Sequence, residues 1–178
     1  MGQDLQSGAE GRLGTTGGII DDGRFVATVR FDSAEAARRN SERPEQGAWW
    51  AETEQCFDGP VTFLDCPQVD VWMQGGSDDA GFVQVMEGRT SDADRMRDLM
   101  QRYTDEMHRQ RPEIIGATVA LHSESGFVET VYFTSEAEAR QRESLPLPPE
   151  MAQAMQGQLM DDITFLDLHQ PWLVSPAR

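Results

Sequence analysis

Lysine is absent from this chain of 178 residues, and apart from three histidines every basic side chain is arginine. Asn40 is the only asparagine. Avoidance of AT-rich codons points to a GC-rich bacterial genome and carries no chemical information. Positive charge is scarce altogether: 15 basic residues face 31 acidic ones, for a formal net charge of −16. Such a surface repels phosphate backbones and anionic lipid, which excludes nucleic acid and membrane surfaces as expected partners. No apolar run approaches the ~20 residues that span a bilayer. The stretch from Met1 to Gly18 is polar and glycine-rich with no apolar signal core, so a cytoplasmic protein is expected. Cysteine is limited to Cys56 and Cys66, which lack CxxC spacing and read as two reduced, partly buried thiols. His108, His122 and His169 have no metal-ligand spacing, and no GxSxG, HExxH, P-loop or GxGxxG pattern occurs. No metal and no cofactor are expected.

What is present is a hydrophobic fraction of 38%, enough for a packed core, and an internal repeat. Phe25-Val26-Ala27-Thr28-Val29-Arg30-Phe31-Asp32-Ser33 matches Phe127-Val128-Glu129-Thr130-Val131-Tyr132-Phe133-Thr134-Ser135 at an offset of 102 residues. Without a gap, the same offset aligns Gly14 with Gly116, Arg38 with Arg140, Pro44 with Pro146, and Thr62-Phe63-Leu64-Asp65 with Thr164-Phe165-Leu166-Asp167.

The second copy is complete. Phe82 to Gly88 reads as a strand. Ser91 or Asp92 caps a helix whose apolar residues Met96, Leu99, Met100, Tyr103 and Met107 recur at helical spacing. Pro112 blocks continuation. Ile114 to His122 and Phe127 to Phe133 read as a hairpin turning at Ser123-Glu124-Ser125-Gly126. Ser135 and Glu138 have capping-box spacing and open a second helix, interrupted at Pro146 to Pro149. Asp162 to Leu168 is the last strand. The order β-α-β-β-α-β is the ferredoxin-like pattern.

The expected fold is therefore α+β: tandem ferredoxin-like units, residues 1–73 and 81–178, joined by a linker at 74–80. The first unit lacks its first strand and most of its first helix. That strand is an interior one in this topology, and its loss leaves backbone groups unpaired. A start further upstream, donation by another chain, or closure with the remaining strands would each resolve this. Val69 to Met73 is a spare strand-like segment available to help.

The repeat unit, with Arg30-Phe31-Asp32-Ser33-Ala34-Glu35-Ala36-Ala37-Arg38-Arg39 after its third strand, resembles the antibiotic-biosynthesis-monooxygenase-like families of the dimeric α/β-barrel superfamily. The resemblance implies two ferredoxin-like units packed sheet to sheet, a ligand between sheet and helices, and a homodimer or its single-chain equivalent. Some such proteins oxidise aromatic compounds without metal or flavin. The haem-degrading members need an asparagine on the first strand with tryptophan and histidine on the second helix. Here Gln84 is the nearest polar residue on that strand, and the helix after Ser135 has neither partner.

Two places stand out for chemistry. Trp49 and Trp50 are adjacent on a helix and so cannot both face the same way; one packs, and the other is a candidate pocket wall, with Arg43 nearby to attract an anionic or phenolic ligand. Core or interface packing is the competing reading for the tryptophans, and a surface ion pair with Glu42 or Glu45 the favoured one for Arg43. Glu129 shares a strand face with Phe127, Val131 and Phe133, where burial would raise its pKa and suit a general base. An ion pair with an arginine, or a strand end open to water, is the alternative. Tyr132, on the opposite face and aligned with Arg30, is a further pocket candidate. These features favour a small-molecule-binding barrel acting on an apolar or aromatic substrate. A non-catalytic assembly or regulatory module of the same fold stays open.

Overall fold

Alternating apolar residues and turn chemistry set eight strands in the computed structural model, which describes residues 8–154, 156 and 159–176. They are β1 (Arg12–Ile19), β2 (Phe25–Phe31), β3 (Gln68–Trp72), β4 (Phe82–Thr90), β5 (Ile114–Leu121), β6 (Gly126–Phe133), β7 (Met160–Leu168) and β8 (Trp172–Val174). The helices are α1 (Ala34–Ser41), α2 (Pro44–Thr53), α3 (Ala93–Gln110), α4 (Glu136–Glu143) and α5 (Pro149–Gln153). Among the described residues no helix is long and apolar enough to cross a membrane.

The caps sit where their side chains demand. Ser33 accepts from the Ala36 N–H at 3.2 Å, and Ser135 from the Glu138 N–H at 3.3 Å, so α1 and α4 start in the same way. Asp92 caps α3 through the Arg95 N–H at 2.9 Å. Proline at the first helical turn opens both α2 and α5.

The strands form two antiparallel sheets, β2-β1-β8 and β3-β5-β6-β4-β7. The offset of 102 holds in three dimensions. β1 pairs with β2 in the register of β5 with β6, and the bulge between Arg12 and Gly14 recurs between Ile114 and Gly116. At that bulge a side chain on Gly116 would collide with the Gly75 carbonyl, where the turn after β3 passes over β5.

The end strands cross between the halves. β3 pairs with β5 and β8 with β1, and the registers agree: Trp72 opposes Ala117, and Val174 opposes Thr15. The boundary near residue 74 therefore divides the sequence but not the sheets. Val69 to Met73 does not close the first unit's sheet; it extends the second unit's.

Thr62-Phe63-Leu64-Asp65 aligns with part of β7 yet forms no strand. β7 is held by β4, and among the described residues no strand lies on the corresponding edge of β2 for this segment to pair with. Cys56 is exposed, not partly buried, because the segment around it lies open.

The sheets pack face to face through Ile20, Val83, Val85, Val128, Tyr132, Leu166 and Leu168. On the outer face of the five-stranded sheet, α3, α4 and α5 cover Phe82, Met86, Ile114, Phe127, Val131 and Phe133.

Candidate functional site

The space between that outer face and its helices is a cavity of about 240 Å³. Its floor comes from alternate residues of the sheet: Phe82, Gln84 and Met86 on β4, Glu129, Val131 and Phe133 on β6, Ile114 on β5 and Trp72 on β3. Its roof is the apolar stripe of α3, with Met96, Leu99, Met100 and Met107, joined by Ala139 of α4 and Met151 of α5. Met160 completes a wall of six methionines, side chains that repack readily around an apolar guest.

Polar groups are few and gathered. Gln84 donates to Asp167 Oδ1 at 2.8 Å. Arg140 lies over the Phe82 ring, 5.1 Å from its centroid, and is ion-paired to Asp167. Arg111 and Glu143 also line the space. Trp72 Nε1 donates to Thr104 Oγ1, tying β3 to α3.

Glu129 is buried, opposite Met86 on one neighbouring strand and Val119 on the other. Among the described residues its carboxyl has no hydrogen-bond or ion-pair partner. Desolvation alone pushes its pKa up from 4.5 to about 7. The second buried carboxylate, Glu113, shows what a structural role looks like here: Arg111 pairs with it, and Arg142 approaches to 3.4 Å.

The other expected site residues do not join Glu129. Tyr132 is fully buried between the sheets, where its hydroxyl and the Thr16 hydroxyl are 2.7 Å apart, with the Arg30 guanidinium 5.9 Å from the ring centroid. Trp49 and Trp50 are on α2 in the other half; Trp49 is exposed, and Trp50 packs against Phe57 and Phe63. Arg43 caps the same helix, bonds Asn40 Oδ1 at 3.1 Å and borders an open groove with Glu10, Arg39 and Glu42. Trp72 and the methionine wall were not singled out from the sequence. Three of the methionines, Met96, Met100 and Met107, are visible in the sequence as the apolar stripe of α3, but Trp72 reaches the cavity only because β3 crosses to β5.

No protein-family model matches the chain, and no curated protein matches it by sequence. Solved structures do resemble it. A protein from Lactobacillus acidophilus NCFM superposes with a TM-score of 0.66 at 12% identity, over 97% of this chain and 86% of its own. One from Fusobacterium nucleatum superposes with a TM-score of 0.67 at 7% identity, over 95% of this chain and 80% of its own. Both are named "putative monooxygenase". At these identities the likeness is one of fold. The chain has the α+β, ferredoxin-like architecture of these structures.

Proposed function

We propose that the cavity under α3 binds a small apolar or aromatic molecule and that Glu129 acts on it as a general acid or base, in cofactor-independent, monooxygenase-like chemistry. The observation that carries this reading is an unpaired carboxyl in an apolar, methionine-lined cavity, with a pKa raised to about 7. A catalytic base works best when its pKa lies near the working pH. The two units are read as a tandem duplication in which only the second kept or gained the carboxyl, because the first has Ala27 at that position.

Size narrows the substrate. The volume of about 240 Å³ exceeds the ~150 Å³ cavity that takes benzene and falls short of the ~300 Å³ at which drug-sized pockets begin. One ring, or two fused, fits. Ionised Glu129 would take a proton from a phenol or an activated methylene, leaving an electron-rich anion. Dioxygen would then oxidise it: a CH₂ becomes C=O, one oxygen atom entering the product and the other leaving as water. Arg140 and Gln84 are placed to orient a polar substituent.

The test is a titration of methionine-methyl-labelled protein with one- and two-ring phenols, with oxygen uptake recorded in parallel. Saturable shifts in the six cavity methionines, abolished by Val131→Phe, are expected to mark binding. Oxygen uptake lost in Glu129→Gln is expected to mark chemistry. Binding without uptake would leave a ligand-binding module, and no saturable shift at millimolar phenol would remove the cavity as a site.

A further inference from the structure

The protein provides a partner for every polar side chain of the cavity lining except Glu129, among the described residues. Arg111 pairs with Glu113, Arg140 with Asp167 and Glu143, Gln84 with Asp167, and Trp72 with Thr104. Glu129 is 6% exposed and lines the cavity with its carboxyl unpaired.

The sheet floor is laid out in rows. Asp70, Val119, Glu129, Met86 and Phe165 stand side by side on β3, β5, β6, β4 and β7. Asp70 is already bound by Arg97 of α3 at 2.7 Å. Glu129 is therefore flanked by Val119 and Met86, which pack with Phe127, Met96, Leu99, Ala154 and Leu159. None of these side chains carries a strong donor or acceptor. Two residues further along β6, about 7 Å away, the next row holds Trp72, Ala117, Val131 and Gln84. Phe133 and Phe82 follow. One buried carboxyl thus stands at the end of an apolar, ring-sized space.

We propose that this cavity also takes aromatic heterocycles of one or two rings whose single ring nitrogen, a weak base, sits on the Glu129 carboxyl. The proposal rests on the reading of the cavity as a binding site and names a ligand class that uses the carboxyl differently from a phenol. A phenol donates to the ionised group, and the pair keeps a buried negative charge. A ring nitrogen accepts from the protonated group. That pair is neutral overall whether the proton stays on oxygen or moves to nitrogen, so no uncompensated charge is buried. A primary ammonium brings three donors to a place with one acceptor and leaves two unpaired. A ligand carboxylate adds a second negative charge. The net charge of −16 also favours a ligand that enters neutral or cationic. With its nitrogen on Glu129, the ring lies over Val131 with its far edge toward Phe82 and Phe133.

Burial alone raises the Glu129 pKa to about 7; none of the surrounding charges, Arg97, Arg111, Arg140 or Glu143, contributes. Below that value the carboxyl holds the proton the nitrogen needs. Above it, binding must take up one proton, so affinity falls by about tenfold per pH unit.

The test compares isoquinoline with naphthalene, which has the same shape and no nitrogen, on methionine-methyl-labelled full chain. At pH 6 isoquinoline is expected to bind roughly tenfold tighter or more, the worth of one strong hydrogen bond. Its affinity is expected to fall between pH 7 and 8 while that of naphthalene stays level. Glu129→Met, which replaces a buried unpaired acid by an apolar side chain of similar length, is expected to bind both equally. Glu129→Gln keeps a donor and is expected to retain part of the preference without its pH dependence. Equal affinities in the parent, or a preference that survives Glu129→Met, would overturn the proposal and leave the cavity as a site. Binding of phenols but not isoquinoline would do the same. Saturable binding of no aromatic compound would overturn both.

Discussion

β2 and β6 occupy the same position of the same unit and share five of eight residues between Val26 and Ser33 and their counterparts, yet one is half open and the other is buried along its whole length. Intrinsic strand preference cannot separate them. The difference lies in their neighbours: β6 has β5 and β4 on its edges and α3 across its face, while among the described residues β2 pairs with β1 alone and its Phe25 meets only the rings of Phe57 and Trp172. Strand energetics belong to the pairing and the cover, not to the segment.

The sharpest way to break this comparison is a matched pair of truncations. Phe127 is 1% exposed and Phe25 is 42% exposed. Phe127→Ala is expected to cost about 3–5 kcal/mol through lost burial and a residual cavity. Phe25→Ala, at the equivalent position, is expected to cost about 1 kcal/mol or less. Urea unfolding of both variants measures it, and equal costs would mean that the first unit's face is covered in solution.

A second contrast is Glu129 against Ala27. The folded state holds the Glu129 proton to about pH 7 and the unfolded chain releases it near 4.5, so between these values the folded state binds more protons. This group's contribution is therefore full below pH 4.5, declines as pH rises, and levels off above about 7. Glu129→Gln lacks that decline. Its stability relative to the parent is expected to improve by about 3 kcal/mol across the window, read from urea midpoints between pH 4.5 and 8. Ala27→Glu, on the open face, is expected to show no such dependence.

The contact between the halves gives a smaller effect. Thr16→Val leaves the buried Tyr132 hydroxyl without its partner, at a cost of about 1–3 kcal/mol, checked by thermal unfolding against Tyr132→Phe with Thr16→Val. The smallest effect concerns His169, whose ring bonds Glu136 of α4 at 2.7 Å and reaches Asp21 of the β1–β2 turn at 3.2 Å. The Glu136 hydrogen bond raises its pKa above 6.5. Its stabilisation is full below 6.5 and lost as pH rises through the raised value. His169→Gln is expected to remove that slope, seen as melting temperatures that converge with the parent's at alkaline pH.

Much of this was legible in the sequence. The correspondence at an offset of 102 is legible in the sequence, because register, bulge and caps follow local patterns that recur at that spacing. Period-two alternation put Glu129 with Phe127, Val131 and Phe133. Partnership was not legible. Val69 to Met73 reads as a strand, but nothing local says that it joins β5 while β8 joins β1. Thr62 to Asp65 reads like β7 and stays irregular for want of a neighbour. Trp49 and Trp50 were conspicuous as a pair, yet their surroundings depend on cover that the first unit does not have. Tyr132 looked available for a ligand because alternation gives the face and not what lies against it; another sheet does.

The most direct measurement is the carboxyl ¹³C titration of Glu129 in the folded protein, assigned by comparison with Glu129→Gln and repeated with a saturating one-ring phenol. The expected midpoint is about 7 without ligand, with a change in that midpoint when the phenol binds. A midpoint near 4.5, unmoved by phenol, would mean that water or a cation reaches the carboxyl, and would contradict an apolar cavity built around a catalytic acid–base.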